Sequence, residues 1–220
     1  MVKLSKRLRT IHDLVPKCVP ADIGSDHGKL MIALVESGKI EKGYAIENKE
    51  GPYERLKNNL IQAGVIDVVV PLYSDGLEDL PEIVDTLIIA GMGGINIIGI
   101  LKKNPRKLEH IQTIIIDAHS SVPTVRKEIC RMGFTIADEK IINEGNIYYE
   151  IIKFIRGECA LLSDEDIEYG PVLRQEKCAI FKEKYQNRIS EIEKIISSGS
   201  IPEDRFDLLS KEKCRLKKNV

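Results

Sequence analysis

The chain has 220 residues, 43% of them hydrophobic and 30% charged, with a formal net charge of −1. That is enough for one cored domain plus an appendage. No run of eighteen apolar residues exists and no apolar segment follows Met1-Val2-Lys3-Leu4-Ser5-Lys6-Arg7, so neither a membrane span nor a secretory signal is expected and the chain reads as cytoplasmic.

From Val19 to Ile155 apolar strand-like runs alternate with helical patterns, the signature of a parallel sheet built from βαβ units. The predicted strands are Val19 to Ile23, Gly43 to Glu47, Val68 to Tyr73, Thr86 to Ala90 and Ile111 to Asp117. Helices are predicted between them at Leu30 to Glu36, Pro52 to Ala63, Ile95 to Lys102 and Val122 to Met132. Phe134 to Ile142 and Tyr148 to Ile155 then flank a short Asn143-Glu144-Gly145-Asn146 turn, which predicts an antiparallel hairpin. Five parallel strands followed by a hairpin is the order of the α/β class I methyltransferase fold, a Rossmann-like sheet. A dinucleotide dehydrogenase would continue with a crossover helix.

Past Gly157 the strand pattern stops. Ser163-Asp164-Glu165-Asp166 reads as a helix start, Gly170-Pro171 interrupts, and Phe181, Tyr185, Ile189, Ile192 and Ile196 recur at helical spacing. Ser197-Ser198-Gly199-Ser200 ends that helix, and Phe206, Leu209 and Leu216 mark another, so residues 161–220 are expected to form a coiled-coil-like helical hairpin beside a domain of residues 1–160. From Arg174 onward there are twelve Lys or Arg against eight Asp or Glu, a balance of +4 that leaves −5 for residues 1–173. Such a tail suits a polyanion, and it equally suits a solvated helix face. The five cysteines, Cys18, Cys130, Cys159, Cys178 and Cys214, are scattered and without a C-x-x-C pair, which argues against a disulfide framework and a zinc site; no metal is expected.

The chemistry concentrates at the predicted strand ends. Asp22-Ile23-Gly24-Ser25-Asp26-His27-Gly28 joins the first strand to a helix, the setting in which a glycine turn cradles a ligand. Where a dinucleotide loop needs a second glycine to approach pyrophosphate, this turn carries Asp26, whose carboxylate would repel it. A sulfonium and an ammonium, as in S-adenosylmethionine, would instead be attracted by about 4 kcal/mol per close pair before desolvation. The plainer alternative is a turn in which Asp26 caps the helix. Glu47 ends the second strand, where an acid can accept both ribose hydroxyls, and Asp75-Gly76 follows the third, where a carboxylate can accept from an adenine amine. The fourth strand runs into Ala90-Gly91-Met92-Gly93-Gly94, which permits close backbone approach to a flat ligand. An acid at a strand end and an Asp-Gly turn are also commonplace structural features.

These segments together resemble the bacterial tRNA adenine-N1-methyltransferases that act at position 22 of tRNA, the TrmK family. The resemblance rests on Leu4-Ser5-Lys6-Arg7-Leu8, Ala21-Asp22-Ile23-Gly24-Ser25-Asp26-His27, Glu50-Gly51-Pro52-Tyr53 and Ser74-Asp75-Gly76-Leu77. It continues through Ile89-Ala90-Gly91-Met92-Gly93-Gly94, Tyr149-Glu150 and Tyr169-Gly170-Pro171, almost the whole chain. It departs after the fifth strand, where the family typically shows Gln-Pro-Asn and this chain has Asp117-Ala118-His119. The resemblance implies S-adenosylmethionine as cofactor and tRNA as substrate and partner, with the helical hairpin helping to hold the tRNA. Cofactor binding is then expected from Asp22, Gly24, Ser25, Asp26, His27, Glu47, Asp75, Gly76, Ala90 and Gly91. Asp26 is the expected catalytic carboxylate, with Met92 and Gly93 holding the target base. The chain lacks the Asp-Pro-Pro-Tyr tetrad of exocyclic-amine methylation and a Pro-Cys pair for C5 attack, and ring-nitrogen methylation survives that elimination. His27 and His119 stand near enough in sequence to assist, or serve as turn and surface residues. A methyltransferase for another substrate and a non-catalytic RNA adaptor that binds S-adenosylmethionine are the alternative readings.

Overall fold

The computed structural model describes residues 2–25, 27–158, 161–199 and 201–219. Its centre is a seven-stranded sheet of β1 (Pro20–Ile23), β2 (Gly43–Glu47), β3 (Val69–Tyr73), β4 (Thr86–Met92), β5 (Thr113–Ala118), β6 (Phe134–Glu144) and β7 (Ile147–Arg156). The spatial order is β3-β2-β1-β4-β5-β7-β6. β1 to β5 are parallel and β7 runs antiparallel between β5 and β6, so the predicted hairpin inserts its second strand beside the parallel sheet. The hairpin closes through Gly145 and Asn146, both at positive φ, the two-residue turn that matches strand twist.

Helices cover both faces, which is why the central strands read as unbroken apolar runs. On one face Leu87, Ile89, Ile114 and Ile116 meet α4 (Gly94–Lys103) and α5 (Val122–Arg131) through Ile97, Leu101, Val125 and Ile129. On the other, Ile88 and Ile115 meet α2 (Lys29–Glu36) and α3 (Glu50–Gln62) through Leu30, Leu34, Leu56 and Leu60. Each of these aliphatic side chains is buried and contributes about 2 kcal/mol of transfer free energy. Truncating Ile115 to alanine would cost about 2–5 kcal/mol.

Two elements depend on partners remote in sequence. The first is α1 (Lys6–Leu14), preceding the sheet. Ser5 caps it by accepting from the Leu8 N–H at 3.2 Å, and Glu144 at the far end of β6 accepts from the Lys6 N–H at 2.6 Å. That carboxylate satisfies an orphan donor at a positive helix end.

The second is the helical tail of α6 (Asp164–Tyr169), α7 (Pro171–Glu176), α8 (Ala179–Ser197) and α9 (Glu203–Asn219). Ser163 and Asp166 form a reciprocal cap that starts α6, and Pro171 starts α7. Phe181, Tyr185 and Ile192 of α8 and Leu209 and Leu216 of α9 form a common core with Tyr169, Leu173 and Ile141 of β6. The pair is braced by Arg188 to Glu212 at 2.8 Å.

Beneath the tail lies a buried charge cluster. Arg126 of α5 is fully buried, donating from Nε to Glu139 at 2.7 Å, from Nη2 to Glu150 at 2.5 Å, and from Nη1 to the carbonyls of Ile167 and Glu168. Glu139 accepts in turn from the Val172 N–H of α7, and Lys184 of α8 donates to Glu150. Burial opposes ionisation of Glu150, but Arg126 and Lys184 outweigh it and hold the carboxyl below its ordinary range. The tail is thus joined to the sheet by charges as well as by the apolar contact at Ile141. Among the described residues Cys18, Cys178 and Cys214 are free thiols; Cys159 lies outside them. No helix among the described residues is long and apolar enough to cross a membrane.

Candidate functional site

All five parallel strands end on one edge, where ligands bind in open α/β sheets. A cavity of about 270 Å³ opens there, lined by Asp22, Gly24, Ser25, His27, Gly28 and Ala90, together with Arg7 and Leu8 of α1 and Lys29 and Leu30 of α2. A larger cavity of about 550 Å³ lies at the opposite edge, between Leu80 and His110, away from every candidate residue at the β1 turn. Strand polarity selects the smaller one.

The β1 turn is built by backbone bonds to its neighbour strand. The N–H groups of Gly24 and Ser25 both donate to the carbonyl of Ile46, at 2.8 and 3.2 Å. Gly24 sits at φ +79°, a left-handed conformation that favours glycine, and the movable Met92 methyl group lies where a Cβ would stand, so the β1 turn and the β4 end are in contact. Asp22 is buried and accepts from the Ser25 hydroxyl at 2.5 Å. Burial pushes its carboxyl up to about 6, opposed by the Ser25 hydrogen bond and reinforced by the Glu47 charge.

β4 and β5 form the adjacent wall. Ala90 pairs with Asp117 and Met92 with Ala118, leaving Gly91 as an extra residue that bulges out at φ +81°. The His119 N–H donates to the Met92 carbonyl at 2.9 Å, and the Gly94 N–H to that of Ser120 at 3.0 Å, tying the two strand exits together. Asp117 has a fully buried side chain that accepts from Arg7 Nη1 at 2.6 Å. Burial pushes this carboxyl up against the pull of Arg7, His119 and the Gly91 backbone, and among the described residues its Oδ1 has no hydrogen bond of good geometry. The Arg7 guanidinium also lies 5.5 Å from the Tyr149 ring centre, and Tyr149 meets the His119 ring edge-on at 5.9 Å.

The structure therefore brings Asp22, Gly24, Ser25, His27 and Ala90 to one cavity, with Met92 against Gly24 and Gly91 beside Arg7. Glu47 closes the neighbouring strand, and its Oε2 faces the Lys49 N–H at 3.4 Å. Asp75 stands one strand further out, with its side chain half exposed. It accepts from Lys103 at 2.7 Å and Asn48 at 3.1 Å, and these donors hold its carboxyl below the ordinary range. Gly76 packs toward Ile100. Gly93 is the N-cap of α4. Asp26 lies outside the described residues, between the cavity-lining Ser25 and His27.

Sequence reasoning missed α1 as part of the site. Ser5 three residues before Leu8, in Ser5-Lys6-Arg7-Leu8, is a helix-start signal that marks the element, though not the place where Arg7 lands.

The donor set fits S-adenosylmethionine better than a dinucleotide. Buried Asp22, with Glu47 adding to its negative field, would repel a pyrophosphate at this turn and attract a cationic amino-acid end.

Comparison with known proteins agrees. A family profile described as tRNA (adenine(22)-N(1))-methyltransferase matches residues 20–218. The chain is 30% identical over 207 residues to the tRNA (adenine(22)-N(1))-methyltransferase of Bacillus subtilis (strain 168), covering 88% of this chain and 84% of that protein. The crystal structure of Sp1610 of Streptococcus pneumoniae, a candidate tRNA (m1A22) methyltransferase, is similar at a TM-score of 0.92 and 31% identity, over 98% of this chain and 99% of that one. Its complex with S-adenosyl-L-methionine gives a TM-score of 0.89 and 30% identity over 98% and 99%.

Proposed function

The chain belongs to the TrmK family, described as tRNA (adenine(22)-N(1))-methyltransferase, and from that premise we propose that it methylates N1 of adenine 22 of tRNA with S-adenosylmethionine, in the cytoplasm. The observation that supports this most is the convergence of Asp22, Gly24, Ser25, His27 and Ala90 on one cavity, with Met92 packed against Gly24. Bound there, the cofactor supplies a methyl group already activated by sulfonium, so that the lone pair of adenine N1 forms the new N–C bond while the S–C bond breaks with its electrons left on sulfur.

No strong base is required of the protein, because N1 is an available lone pair and no proton leaves in the transfer. The work of its residues is alignment and charge stabilisation. Asp22 and Glu47 hold the cationic and ribose parts, and Asp75 is positioned in sequence for the cofactor adenine amine. The backbone of Met92 and Gly93 presents the flat wall against which the target base lies. Positive charge grows on the target's exocyclic amine as N1 is methylated. Asp26, two residues past Gly24, is the carboxylate proposed to accept from that amine and so to bind the transition state more tightly than the ground state. Because N1 lies on the pairing edge, a paired adenine must first be exposed.

The tail formed by residues 161–220 is proposed to grip the tRNA backbone. Lys211, Arg215 and Lys218 of α9 are exposed. Replacing all three with glutamate should weaken tRNA binding and flatten its salt dependence while leaving cofactor binding intact.

The deciding experiment incubates the protein with labelled S-adenosylmethionine and tRNA transcripts, followed by nucleoside mapping. Label in 1-methyladenosine at position 22, lost when that adenine is replaced by guanine, is the expected result. Protein that binds cofactor yet produces no 1-methyladenosine overturns the proposal.

A further inference from the structure

Arg7 is the one cation of α1 that faces the cofactor cavity, and it is held there from two sides. Asp117 takes its Nη1 at 2.6 Å and the Tyr149 ring lies 5.5 Å from its guanidinium carbon, so its direction is fixed by residues 110 and 142 positions away in the chain. A Cβ on Gly91 would stand 3.4 Å from the same Nη1, an ordinary contact distance, so the β4 bulge and the guanidinium are direct neighbours at the cavity. Among the described residues the guanidinium donates through Nη1 alone, which leaves Nε and Nη2 for a ligand. Arg7 remains 24% exposed while Asp117 is wholly covered. Asp117 therefore acts as an anchor behind the arginine, and the arginine is the surface that a ligand meets.

Lys29, the other Lys or Arg in the cavity lining, is exposed at the start of α2, whereas Arg7 is held in place by Asp117. Asp22, buried on the β1 side, suits an ammonium or sulfonium and repels a carboxylate. A cofactor whose tail carries both an α-ammonium and an α-carboxylate needs a donor fork on the side away from Asp22. We propose that Arg7 binds the α-carboxylate of the cofactor's amino-acid end, with Asp117 and Tyr149 as the residues that position it. The inference rests on the S-adenosylmethionine reading above and assigns to α1 a role in measuring the length and charge of the ligand's tail. A planar fork pre-set by an anchor loses little freedom on binding, and this favours arginine over lysine at the position.

The test compares two ligands that share the adenosyl sulfur group and differ in the tail: S-adenosylhomocysteine, which carries the amino-acid end, and 5′-methylthioadenosine, which lacks it. Titration calorimetry on the wild type, Arg7→Met and Arg7→Lys is expected to show S-adenosylhomocysteine weakened about 10- to 100-fold by Arg7→Met, with 5′-methylthioadenosine changed less than about twofold. Arg7→Lys keeps a charge for Asp117 and should lose an intermediate factor for S-adenosylhomocysteine alone. It answers the question even if Arg7→Met does not fold. Equal losses for both ligands, or an unchanged S-adenosylhomocysteine affinity in the folded variants, overturn the assignment of Arg7. Wild-type protein that binds neither ligand overturns the cofactor reading, and this inference with it.

Discussion

Arg126 and Asp22 are both buried charged residues, yet the molecule surrounds them in opposite ways. Every nitrogen of the Arg126 guanidinium has an acceptor, and each of its two carboxylate partners has a second donor, from the Val172 N–H and from Lys184. Asp22 has one hydroxyl and a repelling neighbour in Glu47, and its carboxyl is pushed up to about 6. Nearby Asp117 has, among the described residues, one arginine and an Oδ1 without a good partner. A saturated cluster has nothing left to offer a ligand and serves as a joint, whereas an undersatisfied one keeps its binding capacity in reserve. The same chemistry, buried ion pairing, thus divides into a fastening beneath the tail and a receptor at the sheet edge.

The sharpest way to break this contrast is Arg126→Met. It leaves Glu139 and Glu150 buried with too few counter-charges and should lower unfolding stability by about 3–5 kcal/mol. Denaturant titration showing a loss below about 1 kcal/mol would mean that the cluster is not the joint. Asp22→Asn should act in the reverse sense on the two properties. The folded carboxyl titrates above its ordinary value, so the folded state holds the proton more tightly than the unfolded chain. Stability from this group is accordingly largest below about pH 4 and declines as pH rises through 6, a cost at neutral pH of up to about 3 kcal/mol. Asparagine removes that cost, so the ligand-free melting temperature should rise while S-adenosylhomocysteine binding falls by about 10-fold or more. A variant that melts lower than wild type and binds as well would contradict both halves.

A gentler probe is pH itself. A ligand bearing a cation needs Asp22 ionised, so wild-type affinity for S-adenosylmethionine should drop about tenfold between pH 7 and pH 5, and Asp22→Asn should show a flat profile over that range. Calorimetry at the two values decides it. The smallest effect is expected at Asp75, which Lys103 and Asn48 already engage on the surface. Asp75→Ala should weaken the cofactor only about two- to tenfold, the value of a single hydrogen bond, without altering the melting temperature. An affinity equal to wild type would place the cofactor adenine elsewhere.

Much of this architecture is written locally. Strands buried on both faces, such as Ile114-Ile115-Ile116, announce themselves as apolar runs, and the glycine turns fall where strands end. The polarity of a parallel sheet then collects Asp22, Gly24 and Ala90 at one edge without further information. What could not be read is pairing across long separations. Arg126 sits in a polar helical stretch and would pass for a surface residue, while Glu139 and Glu150 look like ordinary strand polar positions; only the folded chain makes them one cluster. In the same way the apolar stripe of α1, Leu8, Ile11 and Leu14, marks a helix but not where it docks; its place over the cavity rests on partners contributed by β5, β6 and β7. The catalytic expectation for Asp26 stands as a proposal, since that residue lies outside those described.

The docking of α1 carries a consequence for the order in which the protein is made. Lys6 meets Glu144 across 138 residues and Arg7 meets Asp117 across 110. During synthesis this helix leaves the ribosome long before the strands that receive it, and an isolated nine-residue helix in water is marginal. The first five strands can pair in turn as they emerge, but the cavity wall that includes Arg7 closes only once the β6–β7 hairpin is in place. Nascent chains released before about residue 150 should therefore contain the sheet edge without a competent cofactor site, so that ligand capture becomes one of the last events of folding.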